Sequence, residues 1–326
     1  MEHDLPQSAL PPPITTLPLS GTGPYRVASF YAGVNLRVQA NNGYWQSQPM
    51  YNSLNFVKIN SIDSRLYALL AGDIDISEAI ASKNINSVQL LENKIIYQTA
   101  TYNALFLVIN ERNNDLFKRK TARNAVHLAI NQSGMLTHIL HDTGSIDSSL
   151  KIIPSKVDEP TFNTKRAKYL LKKMDAPEQL SLLVMAESSP HSQEIIVALK
   201  NMFKRVGISL AITEVKTAER WKALQFEYDL TFSSWQSALM DRDNIYQDIF
   251  SNSLLSDYLD SLFKEQGKAL SLQEKIVLFK QYQISDRIIP LFFENQIWAT
   301  DKQFNLKRQF SVNAIPYWHL LSPTTH

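Results

Sequence analysis

Cysteine is absent from the chain, which excludes disulfide scaffolds, thiolate metal sites and cysteine nucleophiles. The compartment stays open on that ground, because thiol-free chains are tolerated in oxidising and reducing spaces alike. Long apolar runs are also missing. The segment ALFLVI at 104–109 is among the longest, far short of the roughly twenty residues that a membrane-spanning helix needs. A strong charge of one sign is lacking too: 33 basic and 31 acidic side chains leave +2, which removes the simplest argument for a nucleic-acid partner. Neither GTG at 21–23 nor GDID at 72–75 fits a lysine-bearing phosphate loop or a dinucleotide fingerprint. There is no Gly-x-Ser-x-Gly elbow, and Ser189 and Ser192 near His191 have no recognisable triad setting. The opening MEHDLPQSALPPPITTLPLS lacks a basic start, a continuous apolar stretch and a small-residue cleavage pattern, so it does not read as a secretory signal.

What is present is an ordinary globular composition, 44% apolar and 20% charged, which favours neither disorder nor a fibrous repeat. A length of 326 residues suggests two lobes. Five prolines fix an extended tail over 1–19. After a turn at Gly21 to Pro24, alternation predicts a hairpin around Ala32-Gly33, then a strand at 52–60. A helix ending at Gly72 follows, with Leu66, Leu69 and Leu70 at helical spacing. ALFLVIN then reads as a strand covered on both sides. Ala122, Ala125, Val126 and Ala129 share one face of a predicted helix, and a second short helix ends at Gly144. Another helix starts at Asn163 or Thr164. Strands and helices alternate from 177 to 236, the pattern of βαβ crossovers and a mainly parallel sheet. Two further helices occupy 253–287, and IIPLFFENQIWAT is a final strand.

Few groups carry chemistry. His127, His138 and His141 would share an arc on one continuous helix, but Asn131 to Gly134 reads as a stop and restart, so they are ordinary histidines and no metal or cofactor is expected. Asp241 and Asp243 flank Arg242 in a predicted loop, as a solvated turn or a site. A strand ending in Ser233-Ser234-Trp235 places a large aromatic at the carboxyl end of a parallel sheet, where open α/β sheets bind ligands. Core packing of Trp235 fits equally well.

Several stretches, in order, resemble the family 5 extracellular solute-binding proteins, the binding components of peptide and nickel ABC importers. Gly21 to Tyr25 is similar to that family's GTGPY turn, NNGYWQSQP at 41–49 to its Y-W segment, and LLAGDIDI at 69–76 to its L-x-x-G-E-I-D stretch. LVIN at 107–110, ARNAVHLAINQSGML at 122–136, FNTKRAKYLL at 162–171, DLTFSSW and IIPLFFENQIWA continue the series over nearly the whole chain.

The resemblance implies an α/β, two-lobed periplasmic-binding-protein-like fold of class II type, with mixed sheets flanked by helices. Residues 20–110 would form part of lobe I, 111–289 lobe II, and 290–326 the return to lobe I, with hinges at Asn110 and Pro290. Lobe I would be incomplete, as in a truncated or split gene product. The expected function is non-enzymatic capture of an oligopeptide or related small solute between the lobes. A monomer would then present it to an ABC permease in the inner membrane. Trp235 matches the family's cleft tryptophan, and Ser234, Asp241, Arg242, Tyr102 and Asn103 are the further candidate ligand contacts. Ala238 stands where peptide-binding members carry an amino-group-binding aspartate, and Asp241 lies nearer a second acid of that motif. The family implies a periplasmic location; a chain complete as it stands would be cytoplasmic, where the alternative is a ligand-sensing domain related to transcription regulators.

Overall fold

The computed structural model describes residues 21–146, 162–186, 189–236, 271, 273, 274, 277, 287–306, 309–311 and 314–324. The expected Pro-rich tail and most of the two helices over 253–287 lie outside that set. The chain divides into two compact units, Met1–Thr99 with Gln296–His326, and Ala100–Asn295.

The first unit opens with β1 (Tyr25–Tyr31), β2 (Asn35–Ala40) and β3 (Ser53–Val57), an antiparallel three-stranded sheet. The Gly21 to Pro24 turn is tied to the far end of β2, since Asn41 donates from Nδ2 to Gly23 O and from its main chain to Pro24 O. Helix α1 (Ile62–Ala71) begins at Ser61, whose hydroxyl accepts from Ser64 N, and ends at Gly72 in the left-handed region, φ 81°. Leu66 and Leu69 are buried as their spacing predicts, whereas Leu70 is exposed; a ten-residue helix with one packed side has room for only a narrow apolar stripe. Strand β4 (Ile76–Glu78) and the short helix α2 (Ile85–Gln89) follow, and Ile80, Ile85 and Val88 pack with α1 on Ile297 and Ala299.

Strand β5 (Lys94–Ile109) carries the chain into the second unit. Helix α3 (Lys120–Ala129) buries Ala122, Ala125, Val126 and Ala129. It stops before Asn131, whose side chain accepts from Gly134 N and starts α4 (Gln132–His138). The predicted end of that helix at Gly144 needs correction: α4 stops at His138, and Gly144 belongs to strand β6 (Gly144–Ser145). There a Cβ would collide with the Phe293 carbonyl, so the glycine serves close strand approach rather than helix termination. Next come α5 (Thr164–Lys173), capped by Asn163, then β7 (Gln179–Met185), α6 (Ser192–Arg205), β8 (Ser209–Val215), α7 (Ala218–Leu224) and β9 (Leu230–Gln236). Strand β10 (Ile288–Asp301) completes the second unit and continues into the first, where β11 (Phe304–Asn305) pairs with β12 (Ser322–Pro323).

Within the second unit the strands run in the order β10, β5, β9, β7, β8, with β6 on β10. Strands β8 and β9 both pair parallel with β7, as the crossovers require, while β5 is antiparallel to β9. The sheet is therefore mixed. Strand alternation covers both faces: Leu180, Leu182 and Val184 pack with α3, α5 and α6, and Leu183 packs with Trp221 of α7. Each fully buried Leu contributes roughly 1.5–3 kcal/mol.

The units divide between Thr99 and Ala100 in β5 and between Asn295 and Gln296 in β10. Asn110 and Pro290 both fall inside the second unit. Asn110 is buried and donates from Nδ2 to Phe226 O and Tyr228 O, both at 2.9 Å, and Pro290 O accepts from Gln132 Nε2. Among the described residues no helix is long and apolar enough to cross a membrane.

Candidate functional site

Parallel strands β7 and β9 end at one edge of the second unit's sheet, and antiparallel pairing brings the Asn103 end of β5 to the same edge, opposite Gln236. Ligands of open α/β sheets bind at such carboxyl edges. A cluster of polar side chains is buried there. Glu294 of β10, 5% exposed, follows the apolar run Leu291-Phe292-Phe293 in the middle of the strand and pairs with Gly144 of β6. Its Oε2 accepts from Asn103 Nδ2 at 3.0 Å and its Oε1 from Ser189 Oγ at 2.5 Å. Thr101 Oγ1 donates to the Glu294 main-chain carbonyl at 2.6 Å and accepts from Asn103 N at 2.9 Å.

Ser189 is held by the start of α6. Its Oγ accepts from His191 N at 2.9 Å, its main-chain N–H donates to Ser192 Oγ at 3.0 Å, and Ser192 Oγ donates back to Ser189 O at 2.8 Å. The hydroxyl proton of Ser189 thus goes to a carboxylate, and its lone pair takes a main-chain N–H. Neither contact is the imidazole–hydroxyl pair that acyl transfer uses. Burial pushes the Glu294 carboxyl up to about 7, partly opposed by the Ser189 hydrogen bond, which favours the ionised form. No Lys, Arg or His among the described residues forms an ion pair with it.

The residues expected to contact ligand are distributed as follows. Ser234 is half-buried in β9 opposite Leu105, and Asn103 and Ser234 share a face of the β5–β9 pair. The main chain of Trp235 pairs with Ala104, and that of Tyr102 lies in β5. The side chains of Trp235 and Tyr102, and all of Asp241 and Arg242, lie outside the described residues. Asn103 and Ser234 are therefore brought to one edge, with Asn103 bonded to a carboxylate that the sequence reading passed over. Its signal was available: an acid inside IIPLFFENQIWAT must either be buried or interrupt the strand's packing.

The three histidines do not converge. His127 is buried in α3, His138 ends α4, and His141 follows with a left-handed backbone, φ 48°. Among the described residues no three His, Asp or Glu side chains are placed to hold a metal ion. At the opposite end of the sheet Asp229 accepts from Asn113, Asn114, Ser181 N and Ser181 Oγ, which is a structural knot that pins β9 to β7.

A family model described as bacterial extracellular solute-binding proteins, family 5 Middle, matches residues 12–256. The oligopeptide-binding protein AppA of Bacillus subtilis is 23% identical over 283 residues, covering 78% of this chain and 50% of AppA. The probable ABC transporter periplasmic-binding protein SapA of Escherichia coli is 22% identical over 290 residues, covering 82% of this chain and 52% of SapA. The chain spans about half the length of these curated relatives. Among solved structures, NikA of Brucella suis in complex with Fe(III)-EDTA superposes with a TM-score of 0.75 at 16% identity, covering 93% of this chain and 68% of that one. DppA of Helicobacter pylori in complex with the peptide STSA gives 0.69 at 15% identity, covering 94% and 63%. These likenesses show a periplasmic-binding-protein-like α/β fold.

Proposed function

The chain belongs to family 5 of the bacterial extracellular solute-binding proteins, and from that premise we propose that it captures a small ligand, an oligopeptide or related solute, for a peptide- or nickel-type ABC importer. The observation that carries the reading is the family match over residues 12–256, which takes in every strand of the second unit's sheet except β10. Relatives and neighbours support the ligand class through what they hold or are named for: oligopeptides for AppA, the peptide STSA for DppA, a metal chelate for NikA. The carboxyl-edge cluster supports it independently, because it gathers hydrogen-bonding groups where open α/β sheets bind ligands.

On this reading the protein binds and releases rather than transforms its ligand, works outside the cytoplasmic membrane, and as a monomer delivers to an inner-membrane permease. Trp235, Ser234, Tyr102 and Asn103 at the edge, with Asp241 and Arg242 beyond β9, are its proposed ligand contacts. The chain's passages through β5 and β10 are its proposed hinges.

Intrinsic fluorescence tests this directly. Titration with mixed tripeptides should give a saturable change that Trp235→Ala weakens. A flat response from protein that is folded by circular dichroism refutes capture of peptides.

A further inference from the structure

We propose that Glu294 selects ligands bearing a cationic group, an ammonium or guanidinium that docks on its carboxylate and displaces its proton. This inference rests on the ligand-capture reading and adds a specificity residue to it.

The geometry is that of a carboxyl held by neutral donors alone among the described residues. Glu294 is almost fully buried at the carboxyl edge, yet each oxygen receives one hydrogen bond from a neutral donor, Asn103 Nδ2 or Ser189 Oγ. A carboxylate has about four acceptor positions, so lone pairs remain. A buried carboxylate is costly unless a proton or a cation neutralises it. Among the described residues, the elements packed around it bring no ion pair to the carboxyl. Strand β5 contributes Thr101 and Asn103, β6 contributes Gly144, and the entry to α6 contributes Ser189, Ser192 and His191, the one titratable group among them. His191 reaches the cluster through its main-chain N–H. Asn103, which holds one oxygen, is only half-buried, so the carboxyl stands one side chain from solvent.

Proton balance follows from the site. The protonated acid meets a ligand ammonium, the carboxyl O–H bond breaks, the ammonium donates to the resulting carboxylate, and one proton leaves for bulk water. With the carboxyl at about 7, affinity for such a ligand falls about tenfold for each pH unit below that value. Ser189 adjusts the balance, because its hydroxyl bonds the ionised form.

The test uses a pool of tripeptides with uncharged side chains, with free or N-acetylated amino termini, titrated calorimetrically at pH 6.5 in two buffers of different ionisation heat. The free pool should bind the whole chain more tightly than the acetylated pool and release roughly three-quarters of a proton. Glu294→Gln should abolish both the preference and the release, and Ser189→Ala should move the pH midpoint of binding upward. If Glu294→Gln keeps the preference and the proton release, or the wild type binds both pools equally well, Glu294 is not the selector although capture stands. If the folded wild type binds neither pool, both readings fall.

Discussion

Replacing Glu294 by Gln should remove a loss of stability that the wild type suffers as the pH rises. The carboxyl ionises at 4.5 in an unfolded reference and at about 7 in the folded protein. Between those values the folded state holds a proton that the unfolded state has released, so raising the pH favours unfolding. The penalty is absent well below 4.5 and complete above about 7. One pH unit of difference corresponds to about 1.4 kcal/mol, so the full penalty is about 3 kcal/mol, most of which falls between pH 5 and pH 8. Glutamine matches the neutral acid in shape, can accept from Asn103 and can donate to Ser189 Oγ, so it keeps the hydrogen bonds without the charge. Urea denaturation of both proteins at pH 5 and pH 8 measures the effect as a difference of differences, in which every other titrating group cancels. The variant should gain about 2 to 3 kcal/mol on the wild type across that range. Parallel stabilities at the two pH values would refute the picture of a buried carboxyl that lacks a counter-ion.

Three further changes probe the scaffold. Asp229→Ala removes the acceptor of four donors, including the Ser181 main chain, and should cost about 2 to 4 kcal/mol in urea unfolding, with Asp229→Asn losing less. Gly144→Ala drives a methyl into the Phe293 carbonyl and should lower the melting temperature through a loss of roughly 1 to 3 kcal/mol. Lys94, whose ammonium reaches Leu69 O at 2.9 Å, forms an ion pair with Asp301 at 2.5 Å. The Asp75 carboxyl is already raised by burial and by Asp301, and Lys94 lowers it. Lys94→Met should therefore raise Asp75 further, which carboxyl chemical shifts across an NMR pH titration would report.

Most of the elements can be read locally. Ser61, Asn131 and Asn163 each cap the helix that their position announces, and Gly72 closes α1 in the conformation that only glycine adopts freely. Alternation of Val34, Leu36 and Val38 with polar neighbours and the crossover spacing from β7 to β9 predict both pairings. The candidate site was legible only in part. Asn103 and Ser234 were singled out, but Glu294 was read as one more residue of an apolar strand. Gly144 was taken for a helix end because a glycine after a helical run looks the same whether it terminates the helix or meets another strand.

Helix starts and strand periods depend on residues within a few positions of one another, the family resemblance on short motifs in a fixed order, and the amino-acid order alone determined them all. The partnership of Glu294 with Ser189 and Asn103 joins positions 105 and 191 residues apart. The contact of Gly144 with β10 and the division of β5 and β10 between two compact units are equally remote in sequence. No local pattern encodes which distant strand arrives beside an acid or what donors come with it. Only the packed sheet decides that, because the desolvation of a carboxyl is set by everything that surrounds it in space.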